Sequence, residues 1–183
     1  MQAGSATARI RREIDAGRWT EAEMLLRAHL AGHPHDPLAL RWLGVALRRS
    51  GRVNLSIEVL KLSLEHDGGA ADAWYELGCS YHRAKRDAEA LPAFLRAHEL
   101  RPTWCDPLLN LGALSDQRGD YAAARSYLEA AARCDPRNAL VRYNLGNVLQ
   151  SQGDLAAAIR TYDKSIALDP TYAKAHWNLC SAC

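Results

Sequence analysis

The chain has 183 residues and a near-balanced charge, 23 basic against 21 acidic side chains for a formal +2, too balanced to argue by itself for a nucleic-acid or phospholipid surface, so neither partner is expected. No stretch approaches the roughly eighteen consecutive apolar residues of a membrane span, and the arginine-bearing start, Met1 to Ile14, lacks the apolar run of an export signal. The five cysteines, Cys79, Cys105, Cys134, Cys180 and Cys183, are odd in number and fall at unrelated places, so they do not read as a disulfide framework and a reducing cytoplasm is the expected location.

The organising feature is a ruler. Gly44, Gly78, Gly112 and Gly146 recur every 34 residues, each after a leucine (Leu43, Leu77, Leu111, Leu145). A constant period of this length marks stacked copies of a helix–turn–helix unit. With the Leu-Gly pair at repeat positions 7 and 8, a degenerate repeat covers 3–36, complete repeats cover 37–70, 71–104, 105–138 and 139–172, and a partial one covers 173–183, all read as one all-α domain.

In chain order, the first repeat offers Arg9-Ile10 where Leu-Gly belongs, a polar first helix of the kind a solenoid needs to end in water. Thr20 and Glu23 have the spacing of a capping box at the start of its second helix, Thr20 to Ala31. Gly17, Gly51, Gly119 and Gly153 mark the turn inside each repeat, and Lys85 in the third predicts a strained or differently shaped turn. Asp87, Asp120 and Asp154 are read as caps of the second helices. Pro92 predicts a bend around Leu91. At the carboxyl end, Trp177 and Leu179 fall in register and Cys180 takes the glycine column before the chain stops. This reads as a fragment of a longer protein, or as a short capping helix, with residues 173–183 as a surface for self-association.

The remaining columns alternate small and large. Position 20 reads Ala22, Ser56, Ala90, Ala124, Ala158, and position 27 reads His29, Ser63, Ala97, Ala131, Ser165. Position 24 reads Leu26, Leu60, Phe94, Leu128, Tyr162, and prolines Pro34, Pro102, Pro136 and Pro170 close the repeats. Small residues let helix backbones approach while the large ones fill the space between neighbouring pairs. These columns resemble those of the tetratricopeptide repeat (TPR) family over nearly the whole chain. The resemblance implies an all-α solenoid of antiparallel helix pairs forming a right-handed superhelix, with the first helices lining a concave, peptide-binding groove.

Residues for chemistry are sparse. Cys180-Ser-Ala-Cys183 has C-x-x-C spacing but no second pair, and both cysteines read as packing residues. His33-Pro-His35-Asp36 reads as a solvated connector, and Asp67-Gly68-Gly69 lacks the lysine and hydroxyl of a phosphate loop. No catalytic order of nucleophile and base is present, so the chain is read as not an enzyme, with no cofactor and no metal.

Function is therefore sought in the groove. Position 6 reads Trp42, Glu76, Asn110, Asn144, Asn178, and Asn147 adds an amide one helical turn beyond Asn144. A primary amide carries an acceptor and a double donor, so it pairs with the C=O and N–H of an extended backbone. Packed helices lie about 8–10 Å apart and an extended chain advances about 3.3–3.6 Å per residue, so one amide per repeat meets roughly every third peptide residue. The same asparagines could instead bridge neighbouring helices. Tyr75, Tyr143 and Trp177 at position 5 are aromatics of the kind enriched at interfaces. Arg41, Arg48, Arg49, His82 and Arg83 populate the amino-terminal half, with Asp106, Asp116, Gln117 and Gln150 beyond, which predicts a ligand acidic at its amino-terminal end of the groove.

The motif Asn144-Leu145-Gly146-Asn147 is similar to repeats of the O-linked N-acetylglucosamine transferases, whose groove asparagines hold substrate backbones. The carboxylate clamp of chaperone-binding TPR domains does not fit, since Tyr143 stands where its first cation belongs. The expected role is a scaffold for an extended peptide or protein partner. The alternatives are a substrate-recognition region of a transferase whose catalytic domain lies beyond Cys183, and an architectural module that assembles through its ends.

Overall fold

The fold was analysed in a computed structural model that describes residues 2–182, with side chains described over 7–181. Among these residues every regular element is an α-helix, and no helix is long and apolar enough to cross a membrane. The helices are α1 (Gln2–Asp15), α2 (Trp19–Gly32), α3 (Pro37–Arg49), α4 (Val53–His66), α5 (Ala71–Arg83), α6 (Asp87–Leu100), α7 (Asp106–Gln117), α8 (Tyr121–Cys134), α9 (Ala139–Ser151), α10 (Leu155–Leu168) and α11 (Ala173–Ala182). Each complete 34-residue period holds one antiparallel helix pair, as the TPR resemblance implies. Residues 1–100 and 101–183 form two compact units. Within the first, the odd-numbered helices α3 and α5 lie side by side; within the second, α7 lies beside α9 and α9 beside α11.

The Leu-Gly ruler has a direct steric cause. A Cβ built on Gly44, Gly112 or Gly146 would meet the ring or branch carbon of Leu60, Leu128 or Tyr162 at 2.5 Å, and one on Gly78 would meet Phe94 at 2.7 Å. Position 24 is thus pressed onto the glycine of its own repeat, so its bulk fills the inside of a helix pair. Ala22, Ser56, Ala90, Ala124 and Ala158 are fully buried at position 20. Two position-27 serines also bond, Ser63 Oγ donating to the Pro37 carbonyl at 2.7 Å and Ser165 Oγ to that of Ala139 at 2.8 Å. These bonds tie the end of each second helix to the start of the first.

The turn at Lys85 has the same hydrogen bonds as the glycine turns. Lys85 N–H donates to His82 and Arg86 N–H to Tyr81, as Gly51 donates to Arg48 and Arg52 to Leu47. Its φ of +62° matches the +68° to +82° of the four glycines, so the turn is strained but not differently shaped. Asp120 and Asp154 cap as expected, accepting from Ala123 and Ala157. Asp87 does not. It lies one residue inside α6, and its carboxylate is 2.7 Å from His82 Nδ1. The capping box also fails, because Thr20 is already inside α2 and its N-cap is Arg18. Glu23 is instead buried and accepts both Arg52 guanidinium nitrogens across the first two repeats. α6 runs unbroken across Pro92.

The cysteines overturn an expectation. Cys105 and Cys134 form a disulfide, with their Cα atoms 5.7 Å apart. Cys105 immediately precedes α7 and Cys134 ends α8, so in an antiparallel pair they share one end although 29 residues separate them in sequence. The inference of a reducing compartment from cysteine count loses its basis. Cys79 and Cys180 are free. Burial, with the Glu76 charge second, pushes the Cys79 thiol up to about 11, an inert packing thiol. Cys180 is exposed and does not pack as expected, and Cys183 lies outside the described residues.

Candidate functional site: the first-helix face

Each first helix presents positions 5, 6, 9, 12 and 13 on one face, because these positions lie three to four residues apart. Within the first unit, position 12 meets position 6 of the next repeat. Ile14 and Trp42 join one apolar cluster. One repeat later, Arg48 Nη2 donates to Glu76 Oε2.

In the first unit, most of the cations assigned to the groove are already engaged. Arg48 is held by Glu76, Arg41 lies 3.9 Å from Asp72 and stacks over Trp42, and His82 pairs with Asp87. Arg49 lies over the Trp19 ring with its guanidinium carbon 5.7 Å from the centroid, and Arg83 is exposed. Tyr75 tilts against Phe94 at 5.6 Å between ring centroids. The electrostatic basis for an acidic ligand here is therefore largely neutralised within the chain. Because α1 is polar and short of apolar cover, a hollow of about 350 Å³ opens beside Ile10, Ile14, Leu26 and Trp42, with the His29–Asp36 pair on its wall. Burial would raise the Asp36 carboxyl, but His29 and the amides of Ala39 and Leu38 hold it below the usual range.

The second unit carries the asparagines, and they differ among themselves. Asn178 Nδ2 donates to Asn147 Oδ1 at 2.8 Å, and the Tyr162 hydroxyl lies 2.9 Å from the same oxygen and 2.8 Å from Gln150 Oε1. Asn147 and Asn178 thus bridge α9 to α11. Burial, with smaller contributions from Tyr143 and Asp116, raises the Tyr162 hydroxyl, which keeps it protonated as a donor. Asn110 Nδ2 donates to its own helix at the Asp106 carbonyl, 2.9 Å away. Asn144 is half-buried, and its amide makes no hydrogen bond among the described residues. Tyr143 packs edge-on against Tyr172 at 5.1 Å, whereas Trp177 is 78% exposed.

Sequence reasoning missed the Tyr162 hydroxyl, which reaches this face from a second helix. The signal was present, since Tyr162 is the one member of its column with a polar tip. Among the described residues no group of three His, Cys, Asp or Glu side chains is placed to hold a metal ion.

Comparison with known families decides the class. A tetratricopeptide repeat model matches residues 7–71 and 109–173, and a second one matches residues 71–104. The chain belongs to the tetratricopeptide repeat family. No curated protein matches it. Among solved structures, this TPR chain is similar to the MamA protein at 23% identity and a TM-score of 0.79, over 93% of this chain and 96% of that one. YrrB, a TPR protein with an unusual peptide-binding site, is similar at 20% identity and a TM-score of 0.78, over 92% and 87%. A thermophilic TPR protein of Thermus thermophilus is similar at 22% identity and a TM-score of 0.72, over 98% and 97%. At these identities the likeness is one of fold.

Proposed function

We propose that this TPR chain is a protein-interaction scaffold that takes an extended peptide or protein segment along the first-helix face of α7, α9 and α11. The observation that carries the reading is Asn144, a half-buried primary amide with no hydrogen bond among the described residues, on a face where Asn147 and Asn178 are tied to each other. A half-buried amide with no hydrogen bond among the described residues is able to accept from and donate to a passing backbone. Similarity in fold to YrrB, a TPR protein with a peptide-binding site, agrees with this use. The face would equally serve the substrate-recognition region of a transferase, for which Asn144-Leu145-Gly146-Asn147 remains the supporting motif.

The test replaces Asn110 and Asn144 together by alanine and measures binding of extended peptides. Affinity should fall by on the order of 1–3 kcal/mol for two lost amide contacts. Methylating one backbone nitrogen of the peptide should hurt more than changing its side chain. Normal binding together with a distinctly lower denaturation midpoint would make these asparagines struts and end the proposal.

A second reading is favoured by one observation. Trp177 stands open on α11, so residues 173–183 provide a surface for self-association. Sedimentation should show concentration-dependent dimers that vanish when residues 173–183 are removed; strictly monomeric behaviour of the intact chain excludes it.

A further inference from the structure

Where first helices lie side by side within a unit, position 12 of one repeat and position 6 of the next stand in register, and their chemistry differs from pair to pair. Arg48 meets Glu76, cation to carboxylate. In the second unit, Gln150 and Asn178 share the hydrogen-bonded cluster around Asn147 and the Tyr162 hydroxyl, amide to amide. Between these, Asp116 and Asn144 stand in the same register on the neighbouring helices α7 and α9. Here the register pairs a carboxylate with an amide, and neither side chain has an ion pair or hydrogen bond among the described residues.

Three observations set Asp116 apart from the other acids of this face. Its carboxylate has no ion pair or hydrogen bond among the described residues, whereas Asp106 accepts from Trp104 Nε1 at 3.0 Å. It is half-buried, and burial alone holds its carboxyl above the usual range. Its charge also contributes to raising the Tyr162 hydroxyl, after burial and Tyr143. A partly desolvated carboxylate without a partner is costly, and a cation from outside would relieve the cost. Alanine at position 9, Ala113, leaves Asn144 without the bridge that Asn147 gives Asn178.

We propose that this cell receives a lysine or arginine side chain of the bound segment, with the Asp116 carboxylate as its counter-ion and the Asn144 amide on the adjacent backbone. The inference rests on the peptide-binding reading above and adds the charge of the ligand. It concerns the second unit, whereas the sequence-based expectation of an acidic segment belongs to the amino-terminal end, whose Arg41 and Arg48 lie against Asp72 and Glu76. A cation enters this cell as part of an extended chain because the amide beside it is suited to backbone and not to an isolated ammonium.

The experiment measures binding of the full chain to an end-blocked Gly/Ala nonapeptide with one central lysine, and to the same peptide with that lysine acetylated. The lysine peptide should bind about tenfold more tightly, the scale of one charge-assisted hydrogen bond. Asp116→Asn should erase that difference and leave the acetylated peptide's affinity unchanged, while Asn144→Ala should weaken both peptides alike. An unchanged helical circular dichroism spectrum and melting point verify the fold of each variant. Equal affinity of the two peptides for the native chain overturns the charge assignment alone, provided Asn144→Ala still weakens both. Discrimination that survives Asp116→Asn overturns it as well. Failure of every peptide to bind refutes the peptide-binding reading and this inference with it.

Discussion

Lys85 shows how a single residue can carry a fold's grammar and violate it at once. Its φ of +62° is dictated by the hydrogen bonds of the turn, which the other repeats satisfy with glycine. A side chain in the left-handed region costs about 1–2 kcal/mol, so Lys85→Gly should raise stability by about 1 kcal/mol after glycine's larger chain entropy is subtracted. Urea unfolding is the measurement, and no gain would mean that the lysine side chain compensates the strain. The opposite case is Gly112, where Leu128 occupies the space a Cβ needs. Gly112→Ala should cost about 1–3 kcal/mol through overpacking. Both positions were legible in the sequence because the period put Lys85 in the turn column and Gly112 in the column where helices pack closely. The fate of each groove asparagine was not, since the columns give Asn110, Asn144 and Asn178 one identity and only their partners distinguish them.

At the scale of the helices, the caps show where column reading needs the register kept strictly. Asp120 and Asp154 occupy position 16 and cap; Asp87 occupies position 17 and bonds to His82 instead. Position 16 of the earlier repeats holds Arg18, Arg52 and Arg86, none of which can accept from an amide. Asp154→Ala should destabilise α10 by about 1 kcal/mol, with Asn restoring most of it. Thermal unfolding measured by circular dichroism tests this, and equal loss in the Asn variant would mean that the charge rather than the cap matters. Long-range pairs were invisible at this level. Nothing in the local sequence of Glu23 announces Arg52, because their contact depends on two repeats being stacked. The same holds for Cys105 and Cys134, whose repeat positions look unrelated until the helix pair is folded antiparallel.

At a larger scale, within each of the two units the helices pack against near neighbours in sequence, so stability is expected to be a sum of repeat terms and neighbour terms. A perturbation should therefore stay local. The disulfide offers a clean test, since it closes one repeat, α7 with α8, and no other. Closing a loop of this size stabilises by about 2–4 kcal/mol. Replacing Cys105 and Cys134 by serine, or reducing the native chain, should lower hydrogen-exchange protection in α7 and α8 most and in their neighbours α9 and α10 less. Amides of α3, α4 and α5 should keep their protection. Mass measurement of the chain alkylated under denaturing, unreduced conditions should show Cys105 and Cys134 unlabelled. Loss of protection spread evenly from α3 to α10 would show that the chain unfolds as one cooperative block, and the additive description of the solenoid would fail with it.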